Sequence, residues 1–158
     1  TVHDPEFLDL YGNNTFVQRV LNRPNEEDRQ KLFHSDTFFS AIKFWYFPEQ
    51  VTLSAGPLWY VPNSFLPGSS RLSWEYAEAN KVALNAFEAW RDRDHAEGSF
   101  RINERELEDL DCQATPMVVP ADTLVVTNVR GFHKRGDAMA ETTRNAVHGS
   151  LRRADPFN

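Results

Sequence analysis

His34 and Asp36 carry side chains that bind metals, and a single small residue, Ser35, separates them. Alternate side chains of a β-strand lie on the same face, so a strand through this triplet points both groups in one direction. A metal ion needs ligands that converge from one side, and two positions on one strand supply two of them. The His-x-Asp triplet is therefore a candidate half of a metal site, although this spacing is also common by chance.

A third ligand has to come from a distant part of the chain, and His133 is the best candidate. It follows the β-branched run of residues 123–129, so it lies just past a predicted strand end, where a side chain can turn into the mouth of a barrel. His148, on the last predicted strand, is either an alternative ligand or a histidine of the core or the mouth. Two histidines and one carboxylate form the metal site of non-haem iron(II) oxygenases, which leaves three coordination positions open for oxygen and substrates.

The elements that position these residues are predicted to be mostly strands. Runs rich in β-branched and aromatic residues, bounded by turn sequences, are typical of strands. Such runs cover residues 15–21, 31–47, 56–61, 117–119, 123–129 and 142–151. Many strands around one long helix favour a barrel or jelly roll with a helical insertion over a parallel βαβ fold.

One long amphipathic helix is predicted for residues 73–90, with Ser73 as its N-cap. Apolar residues recur there at three- and four-residue spacing, and we expect this stripe to pack on the outside of the barrel. The stripe consists of Tyr76, Ala79, Val82, Ala83, Ala86, Phe87 and Trp90. The charged residues 91–108 are predicted to form a surface segment.

Composition limits the possible classes of protein. The chain has 158 residues, of which 41% are hydrophobic, and this suits a single domain over residues 1–158. No apolar run approaches the ~20 residues of a membrane span, so we expect no membrane partner. The net charge of −6 argues against nucleic-acid binding. Cys112 is the single cysteine, which excludes an internal disulfide and favours a reducing, cytoplasmic location.

Further features follow the His-x-Asp triplet in a specific order. Residues 56–64 (GPLWYVPNS) come first, then the helical insertion, then residues 120–126 (PADTLVV) leading to His133. Arg144 stands eleven residues after His133. This order, over roughly residues 31–153, resembles the phytanoyl-CoA dioxygenase family of iron(II)- and 2-oxoglutarate-dependent oxygenases. In that family the first block reads as an NGPL stretch followed by VPGSH.

The resemblance implies a role for each of four residues. His34, Asp36 and His133 would be the ligands of one iron(II) ion. Arg144 would bind the distal carboxylate of 2-oxoglutarate with its two-pronged guanidinium, a geometry that lysine does not reproduce.

The resemblance also implies the fold and the reaction. The fold would be a double-stranded β-helix, which is a jelly-roll, cupin-like barrel, with the helix as an insertion. The reaction would use molecular oxygen to hydroxylate a small organic substrate. Asp36 fills the coordination position that a halogenase leaves for chloride, so hydroxylation is expected rather than halogenation. We expect Trp45, Trp59 and Tyr60 to line the substrate pocket.

The sequence also departs from the family pattern. Only 33 residues precede His34, where family members carry a helical region, so we expect part of an N-terminal helical region to be missing. Residues 63–65 (NSF) and 134–136 (KRG) differ from the family's motifs, which leaves the secondary 2-oxoglutarate contacts and the substrate open. Two alternatives remain. One is a cupin-type metal enzyme that does not use 2-oxoglutarate and needs no Arg144; the other is a non-catalytic jelly-roll binding module that holds no metal.

Overall fold

The computed structural model describes residues 14–24, 26–92 and 100–151, and this part of the chain is mainly β, as predicted. Nine strands form two antiparallel sheets within it. The strands are β1 (Asn14–Asn22), β2 (His34–Ser35), β3 (Ile42–Phe47), β4 (Leu58–Tyr60), β5 (Phe100–Arg101), β6 (Thr115–Pro116), β7 (Thr123–Asn128), β8 (His133–Arg135) and β9 (Thr142–Leu151). The helices are α1 (Ser69–Asp92) and α2 (Glu104–Asp109), with a 3-10 turn at Arg29–Lys31.

The two sheets differ in strand length and in what they position. The first sheet has the order β1-β9-β3-β7 and contains the long strands. The second sheet, β5-β2-β8-β4-β6, contains the short strands that carry His34 and His133. In the first sheet Trp45 is directly opposite His148, so both side chains lie on the same face.

Two apolar clusters stabilise the arrangement. One lies between the sheets, and its buried members are Phe47, Val51, Leu58, Val125 and Ala146. The other lies where the second sheet meets the two helices, and its buried members are Phe33, Val61, Trp74, Ile102, Leu107 and Phe132. The second cluster fixes the helices against the sheet that carries the candidate ligands.

The long helix was predicted correctly, but in its first turns the buried side chains differ from those predicted. Helix α1 begins at Ser69, so Ser73 lies inside it and is not its N-cap. Tyr76 from the predicted apolar stripe is 73% exposed, whereas Arg71, Glu75 and Glu78 are buried. Charged side chains are rarely buried unless they are paired. Arg71 and Glu75 form an ion-pair network with Arg130, and Glu78 pairs separately with Lys81. The stripe's Val82, Ala86, Phe87 and Trp90 side chains lie outside the described part of the chain.

Several short elements differ from the predictions. Residues 31–47 form two strands rather than one, since the chain bends after Asp36 before β3 begins. The charged segment 91–108 contains β5 and most of α2. Helix α2 begins with a capping box in which Asn103 and Glu106 each accept from the other's backbone N–H. Residues 117–119 contribute an isolated bridge from Val119 to Val51 rather than a strand. Among the described helices, none is both long and apolar enough to cross a membrane.

Candidate metal centre

The candidate ligands His34 and His133 meet across two neighbouring strands. They are directly opposite each other on β2 and β8, which run antiparallel, so their side chains lie on the same face. Their ring centroids are 4.4 Å apart and the ring planes are inclined at 53°. Both residues are buried, with exposed fractions of 1% and 4%.

Asp36 joins this pair from the bend after β2. Its backbone N–H donates to the carbonyl oxygen of Val129 (3.0 Å), which holds the bend beside the segment leading to β8. Asp36 Oδ1 lies 3.6 Å from His34 Nε2, and Oδ2 lies 3.7 Å from His133 Nε2. One ligand atom from each of the three residues lies within 4.8 Å of the others. The predicted convergence is therefore confirmed, while the role of the three residues as metal ligands stays a prediction.

The hydrogen bonds of the two imidazoles use their Nδ1 atoms and leave their Nε2 atoms to bind a metal. His34 Nδ1 donates to the carbonyl of Leu32, and His133 Nδ1 donates to the carbonyl of Gly131, each at 2.8 Å. Histidine ligands usually donate their second ring nitrogen in this way, which fixes the tautomer and the ring orientation. Both Nε2 atoms then present a lone pair towards Asp36.

Burial keeps both imidazoles uncharged. Burial is the main cause that lowers the pKa of His34, and burial followed by the neighbouring His34 lowers the pKa of His133 to about 4. A neutral imidazole is the form that binds a metal, so the two groups are ready to bind at neutral pH without losing a proton.

Lys43 on β3 pairs with the third candidate ligand. Its Nζ lies 2.5 Å from Asp36 Oδ2. Burial works to raise the pKa of Asp36. It is outweighed by His133, which is charged only at the acidic pH where Asp36 titrates, and by the charge and hydrogen bond of Lys43, so the pKa of Asp36 is lower than usual. Asp36 is therefore a carboxylate with one oxygen held by an ammonium group.

Arg144 on β9 lies in the same cavity as the two histidines. The cavity has a volume of about 290 Å³. It is lined by Gln18, Gln30, His34, Lys43, Trp45, Phe47, Leu58, His133, Lys134, Arg135, Arg144 and His148. Arg144 Nη1 donates to the carbonyl of Gly56 (2.7 Å), and no carboxylate of the described residues forms an ion pair with this guanidinium. Burial and then the charge of Arg135 lower the pKa of Arg144 to about 10.

The three predicted substrate residues are placed differently from one another. Trp45 lines the cavity and stacks on His148, with ring centroids 5.1 Å apart. Trp59 lines a second, more open cavity with Phe33 and Lys134 and not the cavity beside the histidines, and its part in substrate binding stays a prediction. Tyr60 is buried and does not line the cavity that contains His34 and His133. Its hydroxyl donates to the carbonyl oxygen of Asn128 (2.9 Å).

Lys43 was not predicted as part of the site, whereas His148 was predicted either as an alternative ligand or as a histidine of the core or the mouth. Lys43 shares a strand face with Trp45 and Phe47, so the alternation along β3 was the signal that could have found it. His148 has both ring nitrogens buried, without a hydrogen-bond partner in the described part of the chain, and it lines the cavity rather than joining the other two histidines. His133 is therefore the histidine that completes the triad.

The fold resembles solved structures of larger enzymes. One is described as the non-heme alpha ketoglutarate dependent carbocyclase SnoK from nogalamycin biosynthesis, with a TM-score of 0.57 and 17% identity over 90% of this chain and 51% of that chain. Another is the epimerase SnoN in complex with Fe3+, alpha ketoglutarate and nogalamycin RO, with a TM-score of 0.56 and 16% identity over 90% of this chain and 50% of that chain. The chain thus spans about half the length of these structures. No family model matches the sequence, and no curated protein is significantly similar to it.

Proposed function

We propose that this chain is an iron(II)- and 2-oxoglutarate-dependent oxygenase that hydroxylates a small organic substrate with molecular oxygen. His34, Asp36 and His133 hold the iron, and Arg144 binds 2-oxoglutarate. The observation that carries the proposal is the convergence of these three side chains beside a cavity that also contains Arg144, a partly buried arginine with no ion-pair partner among the described residues. Because the structural neighbours have low identity to this chain, they support the fold alone.

The donor set fits iron(II). Neighbouring ligands of an octahedral ion with bonds of about 2.1 Å lie about 3 Å apart. His34 Nε2 lies 3.6 Å from Asp36 Oδ1 and His133 Nε2 lies 3.7 Å from Oδ2, and one ligand atom from each residue lies within 4.8 Å of the others, so an inward movement of the side chains would bring them to that spacing. Bound iron would supply the redox chemistry that activates oxygen. His34, Asp36 and His133 would hold the ion from one side of the cavity.

The charges around the cavity favour an anionic ligand. Lys43, Lys134, Arg135 and Arg144 line it, although the chain as a whole has a net charge of −6. Lys43 pairs with Asp36, and Arg135 pairs with Asp28 at 2.6 Å. Arg144 has no such partner among the described residues. The cost of removing its charge from water is therefore not compensated by any acidic group in this part of the chain. A dicarboxylate with one end at the metal and the other at Arg144 would compensate this charge.

The strand order supports a jelly-roll barrel. Apart from β5, consecutive strands alternate between the two sheets from β1 to β4 and again from β6 to β9, and helix α1 is inserted between β4 and β5. We place the whole of residues 1–158 in one oxygenase domain similar to the phytanoyl-CoA dioxygenase family, in the cytoplasm. The presence of Asp36 favours hydroxylation. The neighbours named as an epimerase and a carbocyclase do not select between reaction types.

Calorimetry with Mn(II) in place of iron under anaerobic conditions tests the proposal. The protein should bind one Mn(II), and 2-oxoglutarate should bind to the Mn(II) form. Arg144→Lys should weaken 2-oxoglutarate binding at least tenfold and leave Mn(II) affinity within about twofold, because lysine does not reproduce the bidentate contact. Arg23→Lys, at an exposed arginine paired with Glu141, is the matched control and should change neither affinity.

The same titrations separate the alternatives. Metal binding without 2-oxoglutarate binding would contradict the oxygenase and indicate a cupin-type metal enzyme. Absence of metal binding in the wild-type protein would indicate a non-catalytic binding module. Equal loss of both affinities in Arg144→Lys would show that Arg144 stabilises the fold instead of binding 2-oxoglutarate.

A further inference from the structure

A network of buried polar side chains lies directly behind the two ligand-bearing segments. It consists of Ser35 on β2, Arg71 and Glu75 on α1, and Arg130 in the turn before β8. Ser35, Arg71 and Glu75 are 0%, 6% and 8% exposed. Ser35 is the residue between the candidate ligands His34 and Asp36, and Arg130 lies three residues before His133.

Glu75 is the centre of the network. Its Oε1 accepts hydrogen bonds from Arg71 Nε and from Arg130 Nε, both at 2.9 Å. Its Oε2 accepts from Arg130 Nη2, also at 2.9 Å, so the contact with Arg130 is bidentate. These contacts join α1 to the turn that leads into β8.

Arg71 joins the helix to both ligand-bearing segments at once. Its Nη2 donates to Ser35 Oγ (3.1 Å) and to the carbonyl oxygen of Arg130 (2.7 Å). The Ser35 hydroxyl donates to the same carbonyl oxygen of Arg130, at 2.8 Å. The guanidinium also lies over the ring of Phe132, 4.0 Å from its centroid, next to His133 in the chain. One guanidinium therefore contacts residues adjacent to all three candidate ligands.

The geometry points to a positioning role for this network. We propose that Arg71, Glu75 and Arg130, acting through Ser35, hold the His34–Asp36 segment and the turn before His133 at the separation that a metal requires. Helix α1 is then part of the support of the metal centre rather than only a covering layer. Groups that orient metal ligands affect metal affinity without touching the metal. The part of this inference that concerns metal affinity rests on the proposed function.

The simpler explanation is that the network only anchors α1 to the sheet. Removing a member of a buried ion pair destabilises a protein in either case, because the remaining charge loses its partner. Loss of stability alone therefore does not distinguish the two roles. The orientation of the two imidazoles does distinguish them, because a positioning role requires that this orientation depends on the network.

The experiment compares Glu75→Gln and Ser35→Ala with the wild-type protein. Glu75→Gln removes the central charge at constant shape, and Ser35→Ala removes one hydroxyl with little change in volume. Glu78→Gln is the matched control, since Glu78 is a buried acid of the same helix that pairs with Lys81 outside the network. Each protein is studied first without metal, in the presence of a chelator, and then in a titration with Co(II).

Two readouts are measured besides the midpoint of unfolding. In the metal-free protein, NMR detects the Nδ1 protons that His34 and His133 donate to Leu32 and Gly131. We expect these signals to shift and exchange faster in Glu75→Gln and Ser35→Ala but not in Glu78→Gln. Co(II) affinity should fall by about tenfold or more in the two network variants and by less than about twofold in the control.

The outcomes separate this inference from the proposed function. If both variants keep the imidazole signals and the Co(II) affinity while the unfolding midpoint falls, the network is only an anchor and the inference is wrong. If Glu75→Gln does not fold, Ser35→Ala decides by the same two readouts. If the wild-type protein binds no Co(II), the proposed function is wrong, and the imidazole signals alone decide whether the network positions the two histidines.

Discussion

His34 and His133 are cross-strand partners whose buried imidazole rings lie 4.4 Å apart. Two positively charged rings at this separation would repel each other where water cannot screen them. Both pKa values are lower than usual, with burial as the largest cause. The pair is therefore neutral in the folded protein and becomes a source of instability when the solution is acidified.

The first prediction concerns pH and the metal-free protein. An unfolded chain protonates His133 near its ordinary pKa of 6.5, whereas the folded protein keeps it neutral down to about 4. Between these values the unfolded state binds more protons, so the free energy of unfolding falls as the pH falls. The loss from His133 should reach about 3 kcal/mol by pH 4, measured by urea unfolding at several pH values with a chelator present.

His133→Asn provides the comparison for this experiment. The variant lacks the titrating group, so its free energy of unfolding should depend less on pH between 6.5 and 4 than that of the wild-type protein. An identical pH dependence in the two proteins would mean that other groups cause the acid instability. His34 would be the next group to replace, because burial also lowers its pKa.

The second prediction concerns Lys43, which pairs with Asp36 at the position where a metal would bind. Lys43→Met should tighten Mn(II) binding by about 1 kcal/mol or more, because the substitution removes a cation that repels the metal and competes for the carboxylate. Calorimetry at constant ionic strength measures the change. Lys81→Met removes the same charge from a lysine of α1 that is 60% exposed, and it should leave Mn(II) affinity unchanged. Weaker binding in Lys43→Met would show that the ammonium positions Asp36 instead.

The third prediction concerns the face of α1 that packs against the sheet. Trp74 is 8% exposed and packs edge-to-face on Phe132, with ring centroids 4.7 Å apart, whereas Tyr76 on the same helix is 73% exposed. Trp74→Ala should cost about 3–5 kcal/mol of stability. Tyr76→Ala should change stability by less than about 0.5 kcal/mol. Chemical denaturation of both variants checks the two values, and a similar cost for each would mean that Tyr76 is covered in solution.

The long strands and the nearness of His34 to Asp36 could be predicted because local sequence determines them, whereas His133 comes from a distant segment and was assigned from its place after a strand and from the order of features along the chain. The runs at residues 123–129 and 142–151 coincide closely with β7 and β9, since β-branched residues flanked by turns fit strands on the basis of local sequence alone. The spacing of His34 and Asp36 placed the two side chains together for the same kind of reason.

The support of the site could not be predicted in the same way. Arg71 and Glu75 look like solvent-facing charges on a helix, and their burial depends on Arg130, which is 55 residues beyond Glu75 in the chain. Hydrophobic periodicity assumes that charged residues face water, so it placed the exposed Tyr76 on the core face and left out the buried Arg71 and Glu75. A tertiary ion pair overrides that assumption and leaves no periodic signal.

The last prediction concerns Asp36, on which the iron assignment depends most directly. Asp36→Ala removes the one carboxylate of the triad and leaves two histidines, so Mn(II) affinity should fall by about 100-fold or more. Consumption of 2-oxoglutarate in the presence of iron(II) and ascorbate should fall to the level without protein. Asp137→Ala is the control, because Asp137 is an exposed aspartate that pairs with Lys31 outside the triad, and this variant should bind Mn(II) like the wild-type protein. If Asp36→Ala bound metal and consumed 2-oxoglutarate as fast as the wild-type protein, Asp36 would not be a ligand and the proposed iron site would be wrong.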